Sequence, residues 1–125
     1  MITFTVPGRP IPKARPRLGV HGRTAYIYTP EETRLYEQFV GVVGCENCRK
    51  PLTGPVELRL VAFFRGGRRT PDLSNVLKAV EDGLNGIAYI DDSQVKRFHA
   101  EMRYVEDRTA ERVEVEIHEV EEAAG

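Results

Sequence analysis

The stretch TPDLSNVLKAVEDGLNGIAYIDDSQV, residues 70–95, decides the fold. Its apolar side chains recur every three or four residues, which predicts an amphipathic helix over residues 71–84. An Asn-Gly dipeptide ends this helix, because glycine favours the conformation that follows a last helical turn. Residues 87–90 are then predicted to form a short strand that leads to an acidic pair. The apolar stripe of the helix consists of Leu73, Val76, Leu77, Val80 and Leu84.

Strand patterns lie on both sides of this stretch. Before it, residues 56–64 alternate and then become wholly apolar, which predicts a strand buried on both faces near its end. After it, residues 95–105 and 112–120 are predicted to form a closing antiparallel pair. Residues 3–6 are the first predicted strand, and a short strand is expected over residues 26–28.

A further helix is predicted before the strand at residues 56–64. Thr29 is its expected N-cap and Pro30 its first residue, and two acidic residues follow in the first turn. Gly41 and Gly44 indicate that this helix is short.

One domain accounts for the whole pattern. The chain has 125 residues, of which 41% are hydrophobic and 30% charged, an ordinary balance for a globular domain. We expect a single α+β domain over residues 1–125, in which a mixed β-sheet is packed by two helices in the order β-α-β-α-β-β. Residues 1–30 hold the first strand and a basic arm, and residues 121–125 are expected to fray.

Several classes of protein are excluded. No apolar run approaches the length of about 18 residues that a membrane span needs, so we expect no membrane partner. The N-terminus lacks a charged leader and an apolar signal core, which favours a cytoplasmic protein. Cys45 and Cys48 are expected as reduced thiols in a surface loop, because one CxxC cannot supply four zinc ligands. Zinc shared across a dimer and a redox pair are the alternatives for these cysteines.

The formal net charge of -1 is a sum that hides a basic N-terminal part and an acidic C-terminal part of the chain. Nucleic-acid-binding domains are commonly strongly basic, so the total alone argues against that class. Residues 1–30, however, contain five basic residues and no acidic one, whereas residues 99–125 contain nine acidic residues and three Arg. Such an asymmetry between the ends of a chain indicates a nucleic-acid contact.

The basic arm is the segment GRPIPKARPR, residues 8–17. Its three Pro fix φ and remove backbone donors, so we expect an extended segment and not a helix. Lys and Arg supply most phosphate contacts to DNA, which favours a phosphate-binding role over a merely solvated arm. The expected DNA-binding residues are Arg9, Lys13, Arg15, Arg17, Arg68 and Arg69.

Three carboxylates of residues 70–95, the central stretch, are expected to lie close together. Asp72 opens the helix, and Asp91 and Asp92 end the strand after it. The helix advances about 18 Å and the strand returns about 16 Å, so the acidic pair can come back to the level of Asp72. Carboxylate oxygens are natural ligands of Mg²⁺, which predicts a metal site. The alternative is that Asp72 only caps the helix and that the pair lies in a solvated turn.

Lys78 is the candidate for stabilising charge at that site. It shares a helix face with Asn75, three residues before it, and Asp82, four residues after it. A Lys beside a metal can hold a scissile phosphate or neutralise the charge that develops on it. An exposed Lys paired with Asp82 is the alternative.

Together, residues 7–17 and 70–95 resemble the RusA family of Holliday junction resolvases. The pattern that carries the resemblance is Asp72 with Asn three residues on and Lys six on, then Asp-Gly-Leu-Asn-Gly and finally Asp-Asp-x-Gln-Val. The resemblance implies a small homodimeric endonuclease, dependent on Mg²⁺ with Mn²⁺ as a substitute. It implies branched DNA as the partner, in the form of four-way junctions cut by paired, symmetrical nicks.

The resemblance also implies roles for individual residues. Asp72, Lys78, Asp91 and Asp92 match catalytic positions of the family, and the three Asp are the expected metal ligands. The family has a second helix Asp where this chain has Ser74, a neutral and weaker ligand that can act through a water. This departure keeps open a non-catalytic homologue that binds branched DNA, and a phosphodiesterase of broader specificity is the other alternative. Supporting roles are inferred for Asn75, Asp82 and Gln94.

Overall fold

The helix predicted over residues 71–84 forms, with its apolar stripe facing the core. In a computed structural model, which describes residues 1–67 and 70–121, this helix begins at Leu73 and has Asp72 as its N-cap. Val76, Val80 and Leu84 of the stripe are fully buried. The described residues form two helices and six strands: β1 Ile2–Pro7, β2 Arg17–His21, β3 Thr24–Tyr28, α1 Glu31–Asn47, β4 Val56–Arg65, α2 Leu73–Leu84, β5 Val95–Val105 and β6 Arg112–Glu119.

Four strands form one mixed sheet in the order β1-β6-β4-β5. Val115 of β6 lies opposite Phe4 of β1 on one side and opposite Leu60 of β4 on the other, in antiparallel pairs. Helix α1 packs against β1, and α2 packs against β4 and β5, so the helices and the sheet share one apolar core. The α+β class with a mixed sheet and two helices is therefore confirmed. The burial of Phe63 and Phe64 confirms that β4 is covered on both faces near its end.

The predicted pairing of the last two strands with each other is wrong, because β4 lies between them. Helix α2 is a crossover connection that returns the chain to the end of the sheet where β4 begins. The fifth strand therefore runs parallel to β4, and Val95 lies opposite Val56. The sixth strand then pairs with the other side of β4 in the antiparallel sense.

Residues 87–90 form a turn and not the predicted strand. The backbone N–H of Ala88 donates to the carbonyl oxygen of Leu84 at 3.0 Å, and that of Gly86 donates to Tyr89 at 2.8 Å. Gly86 has a φ of +82°, a conformation that favours glycine. The segment therefore folds back on the last turn of α2 and does not run along the helix. This path decides where the following acidic pair lies.

Helix α1 is longer than its glycines predict. It runs for 17 residues and includes Gly41 and Gly44. Both glycines face the end of α2 at short range. A Cβ atom added at Gly41 would lie 2.9 Å from Cδ1 of Ile87, and one added at Gly44 would lie 2.6 Å from Cδ2 of Leu84. The two glycines therefore permit a close helix contact and do not end the helix.

Both ends of α1 also differ from the prediction. Pro30, and not Thr29, is the N-cap, so the helix begins one residue later. At the other end, Cys45 lies exposed in the last turn and Cys48 is the buried C-cap. The CxxC therefore closes a helix and does not lie in a surface loop. Burial raises the pKa of the Cys48 thiol, which makes it a weaker nucleophile at neutral pH.

The basic arm has no regular secondary structure from Arg9 to Pro16, as its prolines predict. Beyond it, β2 and β3 form an antiparallel hairpin around Gly22, of which only β3 is predicted from the sequence. Nearly all side chains of this hairpin are exposed.

Some expectations fall on parts of the chain outside the described residues. These are Arg68 and Arg69 of the expected DNA-binding set and residues 122–125 of the end that is expected to fray. Within the described ranges, no helix combines the length and the apolar character that crossing a membrane requires.

Candidate active site

Lys78, Glu81 and Asp82 lie on one face of α2, because residues three and four apart are neighbours on a helix. The turn after α2 brings Asp92 beside them, at the start of a single 3-10 turn over Asp92–Gln94. One carboxylate oxygen from each of Glu81, Asp82 and Asp92 lies within 4.8 Å of the other two. We call these three residues the carboxylate cluster.

The ammonium group of Lys78 lies among the three carboxylates. Its Nζ is 3.4 Å from Asp82, 3.5 Å from Glu81 and 4.0 Å from Asp92. Burial alone would lower the pKa of Lys78, but the attraction of Asp82 and Glu81 outweighs it and raises the pKa. The ammonium group therefore stays protonated at neutral pH and partly neutralises the cluster. Because the Lys78 side chain is half exposed, it can also reach a ligand in solvent.

Glu81 is the buried member of the cluster, with 9% of the residue exposed. Burial raises the pKa of its carboxyl group, the charge of Lys78 opposes this, and the charges of Asp92 and Asp82 add to it. Beside it, the hydroxyl of Tyr89 donates to the Glu81 backbone carbonyl at 2.7 Å, which holds the turn against α2. A buried carboxylate with acidic neighbours gains stability from an added cation.

The donor set fits a small divalent cation. Oxygens that share one Mg²⁺ lie about 3 Å apart when adjacent and about 4.2 Å apart when opposite, so the three carboxylates, now within 4.8 Å of one another, would have to move closer by up to about 2 Å to share one ion. The three carboxylates also outnumber the two ammonium groups beside them, those of Lys78 and Lys13, which leaves a net negative charge at the site. Glu81, Asp82 and Asp92 are therefore the residues that could hold a metal.

Asp72 lies at the other end of α2, outside the carboxylate cluster. Its Oδ1 accepts a hydrogen bond from the backbone N–H of Ser74 at 3.0 Å and from the Ser74 hydroxyl at 2.8 Å. Along the helix axis it is about 15 Å from Asp82. The expected return of Asp92 to the level of Asp72 depends on a strand that the chain does not form. Asp72 caps the helix, and its catalytic role stays a prediction.

Asp91 and Gln94 hold the turn that carries Asp92. Oδ2 of Asp91 accepts from the backbone N–H of Ser93 at 3.1 Å, and hydrogen bonds from Ser93 lower the pKa of Asp91. Oε1 of Gln94 accepts from the N–H of Asp91 at 2.9 Å, while its Nε2 donates to the carbonyl oxygen of Leu52 at 2.8 Å. Gln94 therefore ties the turn to the loop before β4, whereas the exposed Asp91 carboxylate lies outside the cluster.

The expected DNA-binding residues of the arm fall into two groups. Arg9 and Lys13 form ion pairs within the chain, and the backbone N–H of Lys13 donates to the carbonyl oxygen of Asn75 at 2.8 Å. Arg15 and Arg17 are exposed, and neither has a carboxylate partner within residues 1–67 and 70–121. The first half of the arm is thus docked on the protein, and the second half presents free positive charge.

Glu81 is a candidate that reasoning from the sequence missed. Its signal is its spacing, since it lies three residues after Lys78 and next to Asp82, on the same helix face. Asp82 is predicted only as a supporting residue, yet its carboxylate belongs to the cluster.

Carboxylates that can hold a divalent cation, with a Lys among them, are typical of enzymes that act on phosphate esters. The family model described as Endodeoxyribonuclease RusA matches residues 7–118. The chain therefore belongs to the RusA family of endodeoxyribonucleases, as its motifs indicate. A relative from Bacillus subtilis (strain 168), named uncharacterized protein YqaN, is 30% identical over 140 residues, covering 95% of this chain and 96% of the relative.

Proposed function

We propose that this chain is a Mg²⁺-dependent endonuclease that resolves four-way DNA junctions by paired, symmetrical nicks, in DNA recombination and repair. One observation carries the proposal: on a chain of the RusA family, three carboxylates from two segments surround the Lys78 ammonium at 3.4 to 4.0 Å. Mn²⁺ is expected to substitute for Mg²⁺.

The cluster and Lys78 divide the chemistry between them. Glu81, Asp82 and Asp92 would hold the metal, which when bound supplies a Lewis acid for the scissile phosphate and makes a water more acidic. Lys78 is half exposed, so its ammonium can leave the cluster and donate to a phosphate oxygen. There it would stabilise the negative charge that develops as the phosphodiester is attacked.

Asp72, Asp91 and Ser74 enter the proposal on the family resemblance. Asp72 and Asp91 are proposed as further catalytic residues and metal ligands; both carboxylates are exposed and lie outside the carboxylate cluster, so they would have to approach it to ligate the same ion. Ser74 would act through a water, beside Asp72. Asn75 is proposed to support the site through its backbone carbonyl oxygen, which accepts a hydrogen bond from the backbone N–H of Lys13.

The basic arm is proposed to hold the DNA backbone. Lys13 brings the arm next to Asp82, and the exposed Arg15 and Arg17 follow within four residues. Positive side chains beside a carboxylate cluster give affinity and register on phosphates without reading bases. Arg9, Arg68 and Arg69 are proposed to extend this surface.

A homodimer is part of the proposal. A four-way junction has approximate two-fold symmetry, and a C2 dimer would present two carboxylate clusters to opposing strands. Paired nicks at symmetrical positions then follow from the symmetry of the enzyme.

The test is a gel assay of a synthetic mobile four-way junction beside a linear duplex, with Mg²⁺, with Mn²⁺ and with neither. We expect symmetrical nicks in the junction and only with metal. Lys78→Ala should lower the nicking rate about a hundredfold, because one charge-stabilising donor is lost. Lys50→Ala, which removes an exposed Lys after α1, is the matched control and should nick at the wild-type rate.

Two outcomes would contradict the proposal. Junction binding without nicking in either metal would identify a non-catalytic homologue, the alternative that Ser74 favours. Comparable cutting of the linear duplex and the junction would identify a phosphodiesterase of broader specificity.

A further inference from the structure

We propose that Glu37 is a positioning residue of the candidate active site: it holds Lys13 and thereby keeps the basic arm docked beside Asp82. Glu37 lies on α1, outside both segments that carry the family resemblance. The effect on nicking rests on the proposed function, whereas the docking itself does not.

Lys13 bridges the two helices. Its Nζ lies 2.6 Å from Oε1 of Glu37 on α1 and 3.2 Å from Oδ2 of Asp82 on α2. The three side chains are only 24%, 21% and 22% exposed, in that order. Two carboxylates therefore hold one mostly buried ammonium, and such a charge-assisted hydrogen bond is stronger than an exposed ion pair.

Backbone contacts dock the same part of the arm. The N–H of Lys13 donates to the carbonyl oxygen of Asn75 on α2 at 2.8 Å, and the N–H of Ala14 donates to Oγ1 of Thr33 on α1 at 3.2 Å. Thr33 is buried. The arm is thus attached to both helices at residues 13 and 14, and it becomes exposed from Arg15 onwards.

Asp82 has two tasks that compete. It pairs with Lys13 and with Lys78, and it also belongs to the cluster that could hold a cation. A cation at the cluster attracts the Asp82 oxygens and weakens their hold on Lys13. Glu37 is not a member of the cluster, so it can keep Lys13 docked while Asp82 binds the cation. The arm and the metal can then be in place together.

Trypsin can report the docking of Lys13, because it cuts only when a basic side chain enters its own specificity pocket. Arg9 and Arg15 precede proline and therefore resist trypsin, so cuts in the arm follow Lys13 and Arg17. The full chain is digested with and without MgCl₂, and both cuts are followed by mass spectrometry. Exposed Arg17 serves as the internal reference.

In the wild-type chain, the cut after Lys13 should be slow relative to the cut after Arg17, with and without Mg²⁺. Glu37→Gln should raise this ratio about tenfold, the effect of one lost charged hydrogen bond. Mg²⁺ should raise it further in this variant, because Asp82 then holds Lys13 alone. Glu31→Gln, on the exposed first turn of the same helix, is the matched control and should behave as wild type.

Nicking kinetics separate positioning from a general loss of structure. Glu37→Gln should raise the KM for the junction several-fold, leave kcat near the wild-type value and lower the melting temperature by only a few degrees, as expected for one lost hydrogen bond. Lys13→Gln should raise the KM as well, and adding Glu37→Gln to it should have no further effect, because Glu37 acts through Lys13.

A wild-type cutting ratio in Glu37→Gln would overturn the proposal, and so would additive effects of the two substitutions on KM. The digestion needs no nuclease activity, so the two proposals can fail separately. If Glu37→Gln releases Lys13 as expected in a protein that nicks no DNA, the docking role stands and the proposed function fails.

Discussion

The two ends of helix α2 use their carboxylates differently. At the N-terminal end, Asp72 is exposed and accepts two hydrogen bonds from Ser74, so the helix itself uses this carboxylate as its cap. Toward the C-terminal end, the carboxylate cluster gathers acidic side chains from two segments around Lys78. The first arrangement is local, and the second exists only in the folded chain.

This difference identifies the more informative end. A capping carboxylate is satisfied by its own helix and says little about ligands. A cluster of like charges opposes folding unless cations neutralise it, and here burial and acidic neighbours raise the pKa of Glu81 even with Lys78 beside it. Groups held in such unfavourable surroundings are concentrated at functional sites.

The largest effect is expected from Asp92→Asn. Asp92 belongs to the cluster and also to the metal-ligand set that the family resemblance implies. Loss of this charge should lower the rate of junction nicking by about a hundredfold or more, because the metal is held less well. Junction binding in the presence of a chelator should persist in a mobility-shift assay. Wild-type nicking by this variant would remove Asp92 from the proposed site and leave the N-terminal end of α2, at Asp72, as the candidate active site.

A smaller effect is expected from Asp72→Asn, which tests the N-terminal end with the fold held constant. Asn caps a helix about as well as Asp, so the melting temperature should change little. Nicking should fall about tenfold, because the carboxylate charge is lost at a position that the family uses in catalysis. Thermal denaturation and the junction assay measure the two effects separately. A wild-type nicking rate would restrict Asp72 to its capping role.

The fold shows which features sequence reasoning can reach. The apolar stripe and the end of α2 depend on neighbouring residues and form as predicted, whereas the helix begins at Leu73, two residues later than predicted, because Asp72 is its N-cap. The partners of β5 and β6 depend on the side of β4 to which the crossover returns the chain, and no local pattern encodes that side. The prediction that Gly41 and Gly44 shorten α1 is wrong, because a glycine can end a helix but can also admit a neighbouring one.

The candidate site shows the same limit. Lys78 and Asp82 share a face by helical spacing alone, so their proximity is predictable. The position of Asp92 depends on the path of the turn before it, where the buried Tyr89 anchors the chain to the end of α2. Glu81 gives little signal, because a Glu is rarely buried and an acidic residue on a helix is usually solvated.

The smallest effect is expected where a carboxylate caps a turn outside the site. Asp107 accepts a hydrogen bond at Oδ1 from the backbone N–H of Thr109 at 2.9 Å, as the N-cap of the 3-10 turn Arg108–Ala110. Asp91 accepts from Ser93 in the same way beside the cluster. Hydrogen bonds from Thr109 hold the pKa of Asp107 below its usual range. Asp107 is therefore a capping carboxylate that can be studied apart from the candidate site.

A lowered pKa means that the folded state favours the ionised carboxylate. The stabilisation is therefore present above the unfolded-state pKa and is lost as the pH falls through the lower, folded-state pKa. Asp107→Asn should lower the melting temperature slightly at neutral pH, and the difference from wild type should disappear as the pH falls below about 4. Glu106→Gln, at the exposed neighbouring position, should show no such pH dependence.

Nicking by the Asp107 variant should stay at the wild-type rate, because this cap is far from the cluster in the chain and belongs to no part of the proposed site. A melting difference that persists unchanged in acid would show that the charge of Asp107 does not support the turn.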